Sequence, residues 1–499
     1  MTPPKVRTGR AVAAPLVVAA WVLALGLLLP RLARAQDWST QGIFSASIGY
    51  TDNVAFTPTP RTSDAPQPEA DVFSVLSPGI AVSYATPRTL HRLTYVFTTD
   101  LFFTHAEGNT VSNVLGLSGR YETTETTNLT LNVGAEQGQL NEVAIGTPPA
   151  GQRASFLAPT DNLYFLLTAG QGFEKELSES VTAFQGLAGT IYLPIDLPNG
   201  YTLDGTLGIT KYWQYDTGTL TAGLGYTQFE VVPPLPEGAA PDDPPPDPVI
   251  TEQLIPRLTA SWVHDYGHYF FHQLDVGVLV AMNADGSGSP LWSPIGLAAL
   301  RYIRPEATAS LEYSHNAGPN VFLGTNQLVD SVILRIGVPI AGTYFAVAGS
   351  GGVSVARAID NKGNLREPST LWTGDAALIF NPSGGTGNIQ LSLRYLIHNQ
   401  LGNEATETIS NGVQPTQEVL RNTLLLTLTA AYPDVGTAAA PNAQNSLFRP
   451  SPSPVGRPLE TPSEEEEDEE EEDENPNAPH GTHTPRPPGP PVPPGGAPP

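Results

Sequence analysis

The chain contains no cysteine. Disulfide staples and thiolate metal sites are therefore excluded. Basic residues are also scarce: 24 Lys and Arg stand against 49 Asp and Glu, a formal charge of −25. Such a surface repels a polyanionic partner, so nucleic acid is not expected as a ligand. Long apolar runs are the third shortage. One spans Ala11–Leu29. After it, no uninterrupted run is long enough to cross a bilayer as a helix. What the chain has instead is Gly, Thr and aromatic side chains, the composition of a β-rich protein.

The first apolar run has the setting of an export signal. Lys5, Arg7 and Arg10 precede it, and Ala33-Arg34-Ala35 follows it as a small-residue cleavage site. Residues 1–35 are thus expected to be removed by a cut between Ala35 and Gln36. The cut takes five basic residues and moves the formal charge from −25 to −30. The same run is long enough to serve as an uncleaved anchor instead. An exported chain without membrane helices can still enter a bilayer as a closed barrel, whose strands satisfy every backbone group.

From Gln41 onward apolar and polar residues alternate with period two. In IQLSLRYLI, Ile389, Leu391, Leu393, Tyr395 and Ile397 share one face, and Gln390, Ser392, Arg394 and Leu396 the other. In NLTLNVGAE, Leu129, Leu131, Val133 and Ala135 oppose Thr130, Asn132, Gly134 and Glu136. TLTAGLGY puts Leu220, Ala222, Leu224 and Tyr226 on one side. In NTLLLTLTAAYP, Leu424, Leu426, Leu428, Ala430 and Tyr432 face one way, and Thr423, Leu425, Thr427 and Thr429 the other. A soluble sandwich also alternates. A membrane barrel is favoured by segment length, about ten residues or more, and by polar faces suited to a wet lumen. Aromatics gather near segment ends, at Tyr212-Trp213-Gln214-Tyr215, Trp262, Tyr266, Tyr302 and Tyr313, as interfacial girdles would.

The connections carry the stronger argument. The pattern gives about eighteen strands between Gly42 and Tyr432, with 16 also compatible. Short turns are expected at ATPRT, TTETT, KELSES, DTGT, DYG, RPE, PIAG and PSGGTG. Between them fall Thr51–Ala70, Thr104–Thr110, Gln139–Thr160, Pro194–Gly200, Val231–Val249, Asn283–Pro290, Asn316–Asn326, Ala356–Ser369 and Asn399–Glu418. Short and long connections alternate, as in outer-membrane barrels with short periplasmic turns and longer external loops. The fold class is therefore all-β, a transmembrane antiparallel barrel over residues 36–432. An even strand count places both termini in the periplasm.

Residues 433–499 are expected to be disordered by composition, with an acidic run at 464–474 and a Pro-rich end at 476–499. They read either as a solvated tether or as an arm that docks a periplasmic export partner. His480 and His483 are too few for a defined metal site.

No catalytic constellation stands out, and a non-enzyme is expected. His264, His268 and His272 stand four apart, but they straddle a predicted hairpin turn, and only His268 and His272 are expected to share a strand face. Gly349–Gly352 lacks the Lys and helix of a phosphate loop. There is no Gly-x-Ser-x-Gly elbow, and alternation shows no lipid-facing pairing of Ser with His of the kind outer-membrane lipases use. No cofactor or metal is expected. Function is expected in the lumen, where alternation places Arg92, Asp100, Arg120, Glu136, Asp204, Arg257, Asp275, Glu312, Arg335, Asp375, Arg394 and His398. These residues either select solutes or pair with one another and stiffen the wall. Their signs are mixed, so no steering field of one sign is expected.

The stretch IFSASIGYTDNVAF runs from a strand into Gly49-Tyr50-Thr51-Asp52-Asn53-Val54. It resembles the first hairpin of outer-membrane β-barrels of the exopolysaccharide biosynthesis and export type, where a Tyr-x-Asp-Asn motif leaves the first strand. The resemblance extends architecturally over about Gly42–Tyr432. It implies an outer-membrane channel that exports polysaccharide, with outer-membrane lipid around it. The acidic, Pro-rich tail is not part of that pattern. Asp52 and Asn53 also have a local role open to them, capping the strand exit. Two other readings stand beside export: a general porin for small hydrophilic solutes, and an anchor whose lumen is plugged by the loops Thr51–Ala70, Gln139–Thr160 and Asn399–Glu418.

Overall fold

The structure, a computed structural model, describes residues 38–54, 67–139, 163–195, 199–231, 249–267, 269–304, 306–320, 325–359, 364–366, 368–382, 389–401 and 419–432. The chain divides into two units, Met1–Pro454 and Val455–Pro499. The described residues belong to the first. The expected signal at 1–35 and the tail at 433–499 lie outside them.

Eighteen strands follow one another in chain order. They are β1 (Trp38–Thr51), β2 (Asp71–Thr86), β3 (Thr89–Phe102), β4 (Thr110–Thr124), β5 (Thr127–Gln139) and β6 (Leu163–Ser178). Next come β7 (Val181–Pro194), β8 (Gly200–Tyr212), β9 (Asp216–Val231), β10 (Val249–Asp265), β11 (Phe270–Asn283) and β12 (Leu291–Arg304). The last six are β13 (Ala307–Asn320), β14 (Thr325–Pro339), β15 (Phe345–Ile359), β16 (Ser369–Phe380), β17 (Ile389–Leu401) and β18 (Val419–Tyr432). Each pairs antiparallel with its neighbours in sequence, and β1 pairs with both β2 and β18. The sheet is therefore closed, with 18 strands rather than 16. Closure leaves neither terminal strand with an open edge, and the circuit of ladders satisfies the backbone internally, the condition a spanning segment must meet.

The alternation in sequence becomes two faces. Leu131, Val133, Leu220, Leu224, Ile389, Leu393, Leu424 and Leu426 are all exposed on the outside. Following the register from β18 through β1 and around, their alternates Thr130, Asn132, Thr221, Gly223, Gln390, Ser392, Thr423 and Leu425 turn inward. The outer surface is an apolar band and the inner one is largely Thr, Ser, Gly, Asn and Gln, the inverse of a water-soluble domain.

The seam where β1 meets β18 is held by more than its ladder. Asp52 accepts from the backbone N–H of Asn422 at 2.7 Å and from its side-chain amide at 2.6 Å. The Asn53 amide donates to the Leu420 carbonyl at 3.1 Å. The two residues of the Tyr-x-Asp-Asn stretch thus tie the end of the first strand to the beginning of the last. Beneath them Val54, Phe73, Val75, Phe102 and Leu425 form a small apolar cluster inside the barrel. Gly49 makes room for it, since a Cβ there would sit 2.7 Å from the Phe73 ring.

Three sequence expectations shift. DTGT is not a turn: Asp216–Thr219 begins β9, and the connection is Trp213–Tyr215. KELSES is largely strand, because β6 continues through Ser178. The largest change concerns Asn316–Asn326, read as a long connection from its Asn, Gly and Pro content. There the β13–β14 ladder runs on to Asn320↔Thr325.

Replacing Asp52 with Ala removes both bonds to Asn422 and should cost roughly 1–3 kcal/mol of barrel stability. The check is the temperature at which the heat-modifiable band converts on a gel in detergent. An unchanged conversion temperature would mean the seam does not depend on this carboxylate.

Candidate functional site

All twelve charged residues and histidine singled out from the sequence fall on the inner face of the sheet. Six of them pair among themselves. Arg257 on β10 donates twice to Asp204 on β8, both bonds at 2.7 Å. Its side chain crosses β9 at Gly223, where a Cβ would lie 2.8 Å from Nε. Arg394 reaches Asp375 on the next strand, and Arg335 stands 3.9 Å from Glu312.

The other six have different surroundings. Glu136 accepts from the Tyr164 hydroxyl at 2.6 Å, and Asp100 from Thr110 at 3.1 Å. Asp275 is bonded by Ser261 and by Gln273 at 3.1 Å. Arg120 lies 3.1 Å from Glu122. Arg92 faces Ser83 and Ser118 across its two ladders. His398 faces Arg421 across the β17–β18 ladder. Arg421 was missed in the sequence, although extending the alternation two residues back from Thr423 puts it on the same face. It is 4% exposed, donates to Thr51 at 3.0 Å, and has Asp52 and Asp100 as its anionic neighbours. The wall is therefore largely charge-compensated within itself.

A second feature could not be read from alternation. β12 and β13 pair from Arg304↔Ala307 only as far as Gly296↔His315. Beyond that point the two strands part. Pro294 and Pro319 stand on the parted stretches, where a missing N–H costs nothing because no partner strand is there. The upper ends of β13, β14 and β15 fold into the barrel. The Asn326 amide on β14 donates to Thr227 on β9 at 2.7 Å and to Gln253 on β10 at 2.5 Å. In a round eighteen-strand barrel, strands four or five places apart lie roughly 20–25 Å from one another, far beyond the reach of an Asn side chain. Ala317 and Ile359, on the outer face by alternation, pack on Ile255, Leu279, Ala281 and Ile295 of the inner wall. The lumen is thus narrowed at the long-connection end by the barrel's own strands.

The parting also brings Ser293 of β12 beside His315 of β13. Ser293 Oγ lies 3.2 Å from His315 Nε2. His315 Nδ1 lies 2.6 Å from Asp330 on β14. On a continuous wall Ser293 points in and His315 points out, so no periodic reading would pair them.

The remaining motifs have structural roles. His264 and His272 are register partners on the outer face, so these two share the face, and His268 lies outside the described residues. They pack with Trp262, Tyr266 and Phe270 near a short turn. Trp262 and His264 both bond Asp216 at 2.8 Å. Arg304 lies over Tyr269 and Tyr302 at 5.0 and 5.8 Å. Tyr313 sits mid-strand rather than at an end, and its hydroxyl donates to Asp330 at 3.2 Å. Gly349–Gly352 is part of β15 and not a phosphate loop.

The chain matches no family model and no curated relative. Among solved structures it is similar to the outer membrane protein opdK from Pseudomonas aeruginosa, at 10% identity and a TM-score of 0.41, over 79% of this chain and 99% of that one. It is similar to OccK2 (OpdF) of the same organism, solved in complex with glucuronate, at 8% identity and a TM-score of 0.42, over 80% and 99% of the two chains. The ferric enterobactin receptor PfeA, also from Pseudomonas aeruginosa, gives 9% identity and a TM-score of 0.42, over 79% and 80%. This chain is a closed antiparallel barrel. That assignment rests on its own strand pairing.

Two outcomes follow for the lumen. Gly223→Val should push Arg257 off Asp204 and change the cation-to-anion permeability ratio in planar bilayers about two- to fivefold, by exposing both charges. Asn326→Ala combined with Ile359→Ser should loosen the folded-in strands and raise single-channel conductance above wild type. Equal conductance would show that these strands do not limit flow.

Proposed function

We propose that this chain is a channel of the bacterial outer membrane that exports polysaccharide. The observation that carries the reading is a closed apolar-outside barrel whose inner face is hydroxyl- and amide-rich, with its charges largely paired. Such a wall offers hydrogen bonds to an uncharged or weakly charged hydrophilic chain without trapping it on a field of one sign. The likeness of IFSASIGYTDNVAF to exopolysaccharide-system barrels supports the same substrate class. By the convention that short turns are periplasmic, both termini lie there. Residues 433–499 would then be an arm available to a periplasmic component of the export system.

The folded-in ends of β13–β15 favour one second reading, a barrel whose lumen is occluded and which acts as an anchor. A general porin is the third.

The test is surface polysaccharide, measured by dye binding and sugar analysis on a clean deletion strain. Loss of polymer, restored by the intact gene, is expected. Rescue with residues 434–499 removed then measures what the tail contributes. Normal polymer with slower uptake of small solutes would replace export by the porin reading. Absence of any conductance in bilayers would replace both by the anchor.

A further inference from the structure

The parted wall between β12 and β13 holds a chemical arrangement that transport does not use. Ser293 Oγ is 3.2 Å from His315 Nε2, and His315 Nδ1 is 2.6 Å from Asp330 Oδ1. With its proton on Nδ1 and donated to the carboxylate, the imidazole presents a lone pair at Nε2 to the serine hydroxyl. Asp330 is itself fixed by the Tyr313 hydroxyl at 3.2 Å and by Arg357 Nη1 at 3.3 Å. Nucleophile, base and orienting carboxylate are thus in the sequence of contacts that serine hydrolases share across unrelated folds. The Ser293 hydroxyl has a competing acceptor, the Pro294 carbonyl at 3.0 Å. Rotation about the Cβ–Oγ bond moves the hydroxyl proton between the two.

The surroundings indicate a substrate. Ser293 is 5% exposed. The side chains of His315, Asp330 and Arg357 are 19%, 29% and 36% exposed, so the centre is entered from their side. Trp292, Leu311, Tyr313 and Val332, which neighbour these residues on β12–β14, are exposed apolar side chains of the outer face. An acyl chain can lie along those residues while a phosphate meets the Arg357 guanidinium.

We propose that Ser293 and His315, positioned by Asp330, form a serine-hydrolase centre in the barrel wall that cleaves acyl esters of phospholipids. Ser293 Oγ adds to the ester carbonyl carbon as its proton passes to His315 Nε2. The adduct collapses with cleavage of the ester C–O bond, and His315 returns the proton to the departing alcohol. Water then repeats the sequence on the acyl-serine, giving a fatty acid and free Ser293. This centre does not depend on what the lumen passes.

The experiment uses the full chain purified in detergent micelles, with a fluorophosphonate as the serine-directed probe and phosphatidylglycerol in mixed micelles as the substrate. Wild type should take the probe on Ser293, located by mass spectrometry, and should release fatty acid. Ser293→Ala and His315→Ala should each lower release about a hundredfold or more while keeping the heat-modifiable band that reports a folded barrel. Asp330→Asn should lower release and also shift the acid limb of the pH–rate profile, which loss of packing alone would not move. The proposal is overturned if wild-type Ser293 stays unlabelled, if Ser293→Ala releases fatty acid at the wild-type rate, or if soluble acetyl esters are cleaved and phospholipid is not.

Discussion

A backbone that crosses hydrocarbon has to find every hydrogen-bond partner within the protein, and the β1–β18 ladder is where this chain meets that demand. Ten residue pairs from Gly42↔Tyr432 to Thr51↔Thr423 join the first strand to the last. Without them two edges would face lipid, each unpaired group costing several kcal/mol. Asp52, Asn53, Thr51 and Arg421 then fix the top of this ladder through side chains. Once the circle is closed, the face of every other residue follows from its place in the register. The inner wall is polar because the outer one has to be apolar.

The same constraint explains what happens between β12 and β13. Away from the apolar band, water or the protein's own lumen can satisfy an unpaired edge, so strands are free to part there. Pro294 and Pro319 make the parting inexpensive by removing donors that would need partners. Three strand ends then gain a new surface to cover. Ala317 and Ile359 exchange an outward position for contact with Ile255, Leu279 and Ile295, a burial worth about 1.5–3 kcal/mol for the isoleucine alone.

Much of this was legible in the sequence. Period-two alternation in segments such as IQLSLRYLI gives the strands, and their spacing gives the count. It also gives the inner-face position of residues as scattered as Arg92, Asp204 and Arg394, because alternation is a local property and survives errors at strand ends. What alternation cannot carry is distance across the barrel. Nothing local says that Arg257 meets Asp204 over Gly223, or that Asn326 meets Thr227. Still less can it pair Ser293 with His315, which its own rule assigns to opposite sides of the wall. Composition misled at Asn316–Asn326, where Asn, Gly and Pro suggested a loop. Those residues suit a strand with one free edge equally well.

Seen as a mechanical object, the barrel is a collar with a slit at one rim. Hoop tension around the short-turn half passes through an unbroken circuit of ladders. At the long-connection rim that circuit stops at Gly296↔His315, and the load falls on the β9–β12 wall and the strand ends lodged against it. The girth of that rim is therefore set by side-chain contacts, Asn326 with Thr227 and Gln253 among them, while a ladder sets the circumference of the opposite half.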